Sequence, residues 1–205
     1  MNHEPNTSPH TTPEAPERLL CAALQLFTSR GFAATSVREI VEAAGVTKPV
    51  LYYYFRNKEG IYLAIMEQAW GIFEQQLATV ADRSGTARER LIRFCLALFD
   101  TVRANLPIVR LIYAIYFGPP QGAPHYDFDQ FHDRMLEILE GMAAEGVATG
   151  ELRPIPAKDM AWVILSGLNA AIEEQLCRTA PRIDRDGLIR LLNLIIDGLA
   201  QGASR

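Results

Sequence analysis

From Glu14 onward the apolar residues of this chain recur with the period of an α-helix. No stretch shows the clean alternation, bounded by turn signals, of a half-buried strand. Leu19/Leu20, Ala23 and Leu26/Phe27 form the first stripe, and Gly31 ends it. Carried along the sequence, the same test gives about nine helices, at about 14–30, 36–43, 48–54, 58–80, 86–104, 106–117, one reaching about 146, 157–178 and 184–201. Turn chemistry separates them: Asp82-Arg83-Ser84-Gly85, the loop 118–124 with its three prolines, Gly150 to Pro156, and Pro181. An all-α fold is expected. Residues 1–13 read as a disordered tail.

Charge and cysteine usage narrow the function classes. The 205 residues carry a net charge of −4, which excludes a uniformly basic coat for nucleic acid but not a local patch. Residues 36–58 are such a region, with four basic side chains (Arg38, Lys48, Arg56, Lys58) against two acidic ones. Cys21, Cys95 and Cys177 are far apart and fit neither a zinc site nor a disulfide framework, so buried free thiols in a reducing compartment are expected. The polar, proline-rich start is not a secretory signal, and no apolar run reaches the roughly 18–20 residues that cross a bilayer. The expectation is a cytoplasmic protein without a membrane partner.

The stretch from Gly31 to Met66 carries the functional signal. Ser36 followed by Glu39 makes a capping box, and Ile40, Val41 and Ala44 give the next helix an inward face. Gly45 permits a left-handed turn, Val46 plugs the space between helices, Thr47 is placed to cap the following helix, and Pro49 fits its first turn. This is a helix-turn-helix, whose second helix belongs in a DNA major groove. Thr47 and Lys48 stand at that helix's N-terminus, where phosphate is favoured, and Val50 is suited to a thymine methyl. Tyr52, Tyr53 and Tyr54 would occupy three faces of one short helix, so they cannot all be core, and an outward ring offers its hydroxyl to phosphate. Arg38 reaches the same groove edge, and Lys58, following the N-cap candidate Asn57, is placed for a second phosphate contact. Ser36 joins this set of DNA-facing candidates.

Taken together, residues 14–66 resemble the N-terminal domain of the TetR family of bacterial transcriptional regulators. The resemblance rests on Leu26-Phe27, Gly31-Phe32, Thr35-Ser36, Ile40, Ala43, Gly45-Val46, Leu51 through Phe55 and Asn57-Lys58. It implies a homodimer that binds a palindromic operator and is released by a ligand. It carries over Arg38, Thr47, Lys48, Pro49, Val50, Tyr53, Tyr54 and Lys58 as DNA contacts. Pro49 stands where a glycine is frequent in the family, a departure that bears on base preference. The implied organisation is a tail at 1–13, a three-helix DNA-binding domain at 14–60, and an effector-binding and dimerisation domain at 61–205.

The C-terminal part carries no comparably specific motif. Its last two helices have apolar residues on more than one face, which suits helices that pack inward and against a partner. Leu165, Leu168, Ile172, Leu188, Leu192, Ile195 and Leu199 are the dimer-interface candidates, with Gly167 and Gly198 allowing close approach. Phe94, Leu98, Tyr113, Phe117, Phe128 and Trp162, with Arg103 and Arg110 interrupting the apolar face, are the candidate lining of a site for an apolar or amphipathic small molecule. His125, Asp129 and His132 would share a helical face only if that helix begins early; Asp127, Asp129 and Asp133 read instead as a solvated helix start, and neither metal nor cofactor is expected. With no nucleophile elbow and no phosphate-cradling glycine loop, the chain does not read as an enzyme. The leading expectation is a ligand-responsive repressor. The alternatives are a helical protein-interaction module and an activator without a small-molecule effector.

Overall fold

The computed structural model describes residues 14–79 and 84–200. The tail expected at 1–13, and Asp82 and Arg83 of the expected turn, lie outside the described residues. These contain nine helices and no strand: α1 (Ala15–Arg30), α2 (Val37–Ala44), α3 (Lys48–Phe55), α4 (Lys58–Thr79), α5 (Ala87–Ala104), α6 (Leu106–Tyr116), α7 (Asp129–Ala148), α8 (Ala157–Cys177) and α9 (Arg185–Leu199). Among the described residues no helix is long and apolar enough to cross a membrane.

The caps explain most of these limits. Ser36 Oγ accepts from the Glu39 N–H at 3.3 Å while the Glu39 carboxylate accepts from the Ser36 N–H at 2.8 Å. Thr86 and Glu89 repeat the arrangement at α5. Asp184 accepts from the Gly187 N–H at 2.8 Å at α9. Gly45 ends α2 in the left-handed region, at φ 63°. Two local expectations fail. The Thr47 side chain makes no capping bond, and only its carbonyl accepts from Val50 and Leu51. α7 begins at Asp129, so residues 117–128 form a longer connection than the expected loop and His125 lies outside the helix. His132 instead packs its ring on Trp162 at 5.0 Å, and Asp129 accepts from the Tyr116 hydroxyl at 2.7 Å.

The chain forms two compact units. The first comprises the described residues through Ile65 together with Gln121–Pro124, and the second comprises Met66–Pro120 and the described residues from His125. The division falls inside α4, at Ile65. The first unit packs α1, α2, α3 and the start of α4 around Leu19, Ala23, Ile40, Leu51 and Ile61, which are fully buried. Phe27, Phe32 and Tyr62 pack ring on ring at its centre, with centroids 5.2–6.5 Å apart. In the second unit α8 is central and packs against α5, α6, α7 and α9. Its core includes Phe94, Cys95, Phe99, Leu139, Ile164 and Leu168.

Of the three cysteines, only Cys95 is buried, and burial pushes its thiol up to about 12. Cys21 and Cys177 are exposed, which corrects the expectation that all three are interior.

A tight turn joins α3 to α4. The Asn57 N–H donates to the Phe55 carbonyl at 2.7 Å across Arg56, whose φ of 64° and ψ of −41° make this a γ-turn. Asn57 Oδ1 then accepts from the Gly60 N–H at 2.7 Å, capping α4. Gly60 lies so close to this turn that an added Cβ would stand 1.9 Å from the Phe55 carbonyl oxygen. Gly60→Ala is therefore expected to destabilise the first unit by about 2 kcal/mol or more. Gly141→Ala, where a Cβ meets nothing within 4 Å, is expected to be neutral or to stabilise by up to ~1 kcal/mol. Urea denaturation of the two variants side by side checks the contrast.

Candidate functional site

α3 is eight residues long and buries one of them completely, Leu51. A helix so short is not stable by itself and depends on the contacts of that inward face. Its remaining surface is available. Thr47, Lys48 and Pro49 are exposed at the N-terminus, and Val50 is half-buried. Tyr52, Tyr53 and Tyr54 are all exposed, Tyr53 to 81%. The Tyr53 and Tyr54 rings meet edge to face at 4.9 Å, which limits their motion without burying either. The helix thus presents three phenols and one ammonium to solvent, while Pro49 has no N–H and the N–H groups of Val50 and Leu51 are taken by the Thr47 carbonyl. Phenols and an ammonium suit phosphate and base edges.

The α2 side of this surface is held by weak pairs. Arg38 is bound to Glu42 at 2.7 Å, one turn along, and both side chains are largely exposed. Such a pair is worth little in water, so the guanidinium is free to exchange it for a phosphate. Ser36 is exposed but its hydroxyl also donates to the Glu39 carboxylate at 2.8 Å, so its first role is the cap.

Lys58 is placed differently from its sequence expectation. Its ammonium donates to the carbonyls of Phe32 and Thr35, at 2.9 Å each, and lies 4.1 Å from the centroid of the Phe32 ring. Two of its three N–H groups are thereby committed to the turn between α1 and α2, and a phosphate has only the third. From the loop, Gln121 joins this cluster: its side-chain oxygen accepts from the Phe32 N–H at 2.9 Å. Gln121 carried no sequence signal, because a single polar residue in a Pro/Gly loop has no period to reveal its partner.

The second unit contains a partly open cavity of about 140 Å3. Of the expected effector set, Leu98 and Tyr113 line it. Burial, then Glu173 and Cys177, hold the Tyr113 phenol above its usual range, so it stays protonated and keeps its hydrogen-bond donor. The other expected lining residues are elsewhere. Phe94 is sealed in the core, Phe117 is 72% exposed, and Trp162 is exposed beside His132. Phe128 packs on Tyr116 and Tyr126. Arg103 and Arg110 line a separate open cleft with Gln175 and Arg178. The walls that the sequence did not single out include Ile72, Phe73, Thr101, Asn105, Phe131 and Asn169. Among the described residues no group of histidine, cysteine and carboxylate side chains is placed to hold a metal ion.

The expected dimer seam also needs correction. Leu165, Leu168, Ile172, Leu188 and Leu192 are buried within the single chain and have almost no surface left for a partner. Ile195 and Leu199 are half-buried, and Ile195 is close enough to Gly167 that an added Cβ there would meet its Cδ1 at 2.7 Å. Gly167 therefore brings α8 close to α9 of the same chain. Among the exposed residues of these helices are Trp162, Val163, Ser166 and Ala170 on α8 and Leu194 on α9, the last 73% exposed.

Comparison with known proteins gives three findings. Residues 19–65 match the family model described as bacterial regulatory proteins, tetR family. The chain is 44% identical over 148 residues to the HTH-type transcriptional regulator RutR of Escherichia coli (strain K12), a span of 71% of this chain and 68% of that protein. It is 23% identical over 187 residues to the fatty acid metabolism regulator protein of Bacillus subtilis (strain 168), covering 90% of this chain and 93% of that protein. Among solved structures, the fold is similar to that of AibR in complex with isovaleryl coenzyme A and operator DNA, with a TM-score of 0.66, 22% identity, and coverage of 93% of this chain and all of that one.

Lys58→Met keeps the side-chain length and removes both ammonium hydrogen bonds. It is expected to destabilise the first unit by about 2 kcal/mol. A urea midpoint unchanged from wild type would assign those carbonyls no dependence on Lys58.

Proposed function

The chain belongs to the TetR family of bacterial regulatory proteins and is a DNA-binding transcriptional regulator rather than an enzyme; from that premise we propose that it is a cytoplasmic repressor that binds a palindromic operator as a homodimer and leaves it when a small molecule enters the second unit. The observation that carries the DNA part is the α3 surface, which leaves Lys48 and three tyrosines exposed around one buried leucine. Thr47, Lys48, Pro49, Val50, Tyr52, Tyr53 and Tyr54 form the reading face, with Arg38 and Ser36 at its edge and the third N–H of Lys58 behind it. A two-fold dimer on B-DNA places its two α3 helices in successive major grooves, about 34–36 Å apart.

The dimer contact in this reading is the outward face of α8 and α9. Trp162, Val163, Ala170 and Leu194 are large or small apolar groups left in water by the single chain. Association would bury them as the face of a helical bundle. The effector site is the cavity bordered by Ala69, Ile72 and Phe73 of α4. The same helix supplies Ile61, Tyr62 and Ile65 to the core of the first unit. A ligand that displaces α4 thus acts on a helix whose other end anchors the DNA-binding core. A coupling of about 1–3 kcal/mol suffices to change operator affinity 5–150-fold, and operator must weaken ligand binding by the same factor. The B. subtilis relative is named for fatty acid metabolism and AibR was solved with an acyl thioester. An apolar or amphipathic effector agrees with both.

Fluorescence anisotropy with DNA from upstream of the chain's own gene tests the reading. Tyr53→Ala is expected to weaken binding about tenfold or more, while stability stays within ~0.5 kcal/mol because the ring is exposed. Loss of folding instead of binding would remove the tyrosine from the reading face. Leu194→Glu is expected to shift the protein to monomers in sedimentation velocity and to weaken operator binding with it. A dimer that persists would place the seam elsewhere.

A further inference from the structure

Four basic side chains stand in the stretch 36–58, and the fold treats them differently. Lys58 is committed to the Phe32 and Thr35 carbonyls, and Arg38 is paired with Glu42. The side chains of Lys48 and Arg56 are exposed and have no partner among the described residues. These two bracket α3: Lys48 is its first residue and Arg56 its C-cap. Eight helical residues rise about 12 Å, and the major groove of B-DNA is about 12 Å wide. α3 itself carries no carboxylate, so nothing on the helix offsets either charge.

Arg56 differs from Lys48 in its backbone. Among the described residues it is the one non-glycine with positive φ. At φ 64° and ψ −41° it occupies the rare, strained form of the γ-turn, which glycine adopts at far less cost. Such strain persists only where the surroundings impose it, and it gathers at functional sites. Here the imposition is visible. The Asn57 N–H closes the turn on the Phe55 carbonyl at 2.7 Å, Asn57 Oδ1 holds the Gly60 N–H at 2.7 Å, and Gly60 packs directly behind that carbonyl. The Arg56 N–H donates to the Tyr52 carbonyl at 3.1 Å. Every one of these bonds is made without the Arg56 side chain, and glycine could make them all.

We infer that Arg56 is a DNA-phosphate contact at the C-terminal end of α3, the counterpart of Lys48 at the other end. The imposed turn fixes the direction in which the side chain leaves the backbone. Its guanidinium then offers a planar fork of donors to two oxygens of one phosphate, a geometry that an ammonium does not reproduce. The inference rests on the reading of α3 as the helix that meets DNA, and it adds a residue to that surface. Because phosphate contacts carry no sequence information, Arg56 strengthens the hold on any duplex and leaves the choice of bases to its neighbours.

The test uses the full-length protein, with DNA from upstream of its own gene and a random duplex of equal length as probes. Anisotropy is measured from about 50 to 200 mM salt, and each variant's urea midpoint is taken beside it. Arg56→Gly is expected to raise the midpoint and yet weaken binding to both duplexes. The slope of log affinity against log salt should flatten by about one unit per subunit bound. Arg56→Gln, which cannot relieve the strain as glycine does, is expected to flatten the slope equally with no gain in midpoint. Arg56→Lys is expected to keep the slope, because the charge remains. A gain in stability together with a loss of hold on DNA is a pattern that a structural role for the side chain would not produce. Wild-type slopes in the folded Gly and Gln variants would overturn the inference, as would a lower midpoint in Arg56→Gly. A loss confined to the upstream DNA would also overturn it, since a phosphate contact serves both duplexes. Tyr53→Ala, run alongside, keeps the two readings apart. If it binds like wild type while Arg56→Gln flattens the slope, the tyrosine leaves the reading face and the phosphate contact stands. The reverse pattern keeps the tyrosine and overturns the contact.

Discussion

The ammonium of Lys58 settles a problem set by the turn between α1 and α2. The chain reverses between α1 and α2, and the reversal turns the carbonyls of Phe32 and Thr35 toward the interior, where unpaired backbone groups are costly. Lys58 donates to both from the first position of α4 and lies against the Phe32 ring. Because Phe32 also packs on Phe27 and Tyr62, one charge fastens the start of α4 to the aromatic centre of the unit. α3 hangs between that fixed point and the Gly45 turn. Its position is imposed from both ends, which is how an eight-residue helix with one fully buried side chain holds a defined surface to solvent.

That arrangement separates the residues that hold the unit together from those left on its surface. Leu51, Ile40 and Ile61 hold the unit together, while Thr47, Lys48 and the tyrosines contribute little to it. The second unit makes the same separation on another scale. The inward faces of α8 and α9 form the core, and the cavity is framed by residues from five helices at the periphery of that core. The polar wall residues Thr101, Asn105 and Asn169 can therefore vary without disturbing Leu168 or Leu192.

Helix limits were legible because caps and breakers act locally. Ser36 with Glu39, Gly45, Asn57 and Pro181 each announce an end whose partner lies within a few residues. The exposed side of α3 was legible for a geometric reason, since three consecutive tyrosines cannot share one face. The second unit was harder to read. Apolar periodicity identifies the face that is most hydrophobic, and for α8 and α9 that face is the interior of the same chain. Leu165, Leu168, Ile172, Leu188 and Leu192 therefore carry the seam-like pattern although they lie inside the chain, while the exposed Leu194 falls outside it. Cavity walls have the same composition as core, so Phe94 could not be told from Leu98. Gln121 and Gly60 escaped notice because their importance lies in contacts with the Phe32 N–H and the Phe55 carbonyl, which no local pattern encodes.

The γ-turn at Arg56 concentrates strain at one exposed residue. A non-glycine residue at φ 64° and ψ −41° carries a steric penalty of roughly 1–3 kcal/mol that glycine would largely avoid. The packing of α3 and α4 on either side has to offset that energy, so the joint between them leaves the first unit less stable than its core alone would make it.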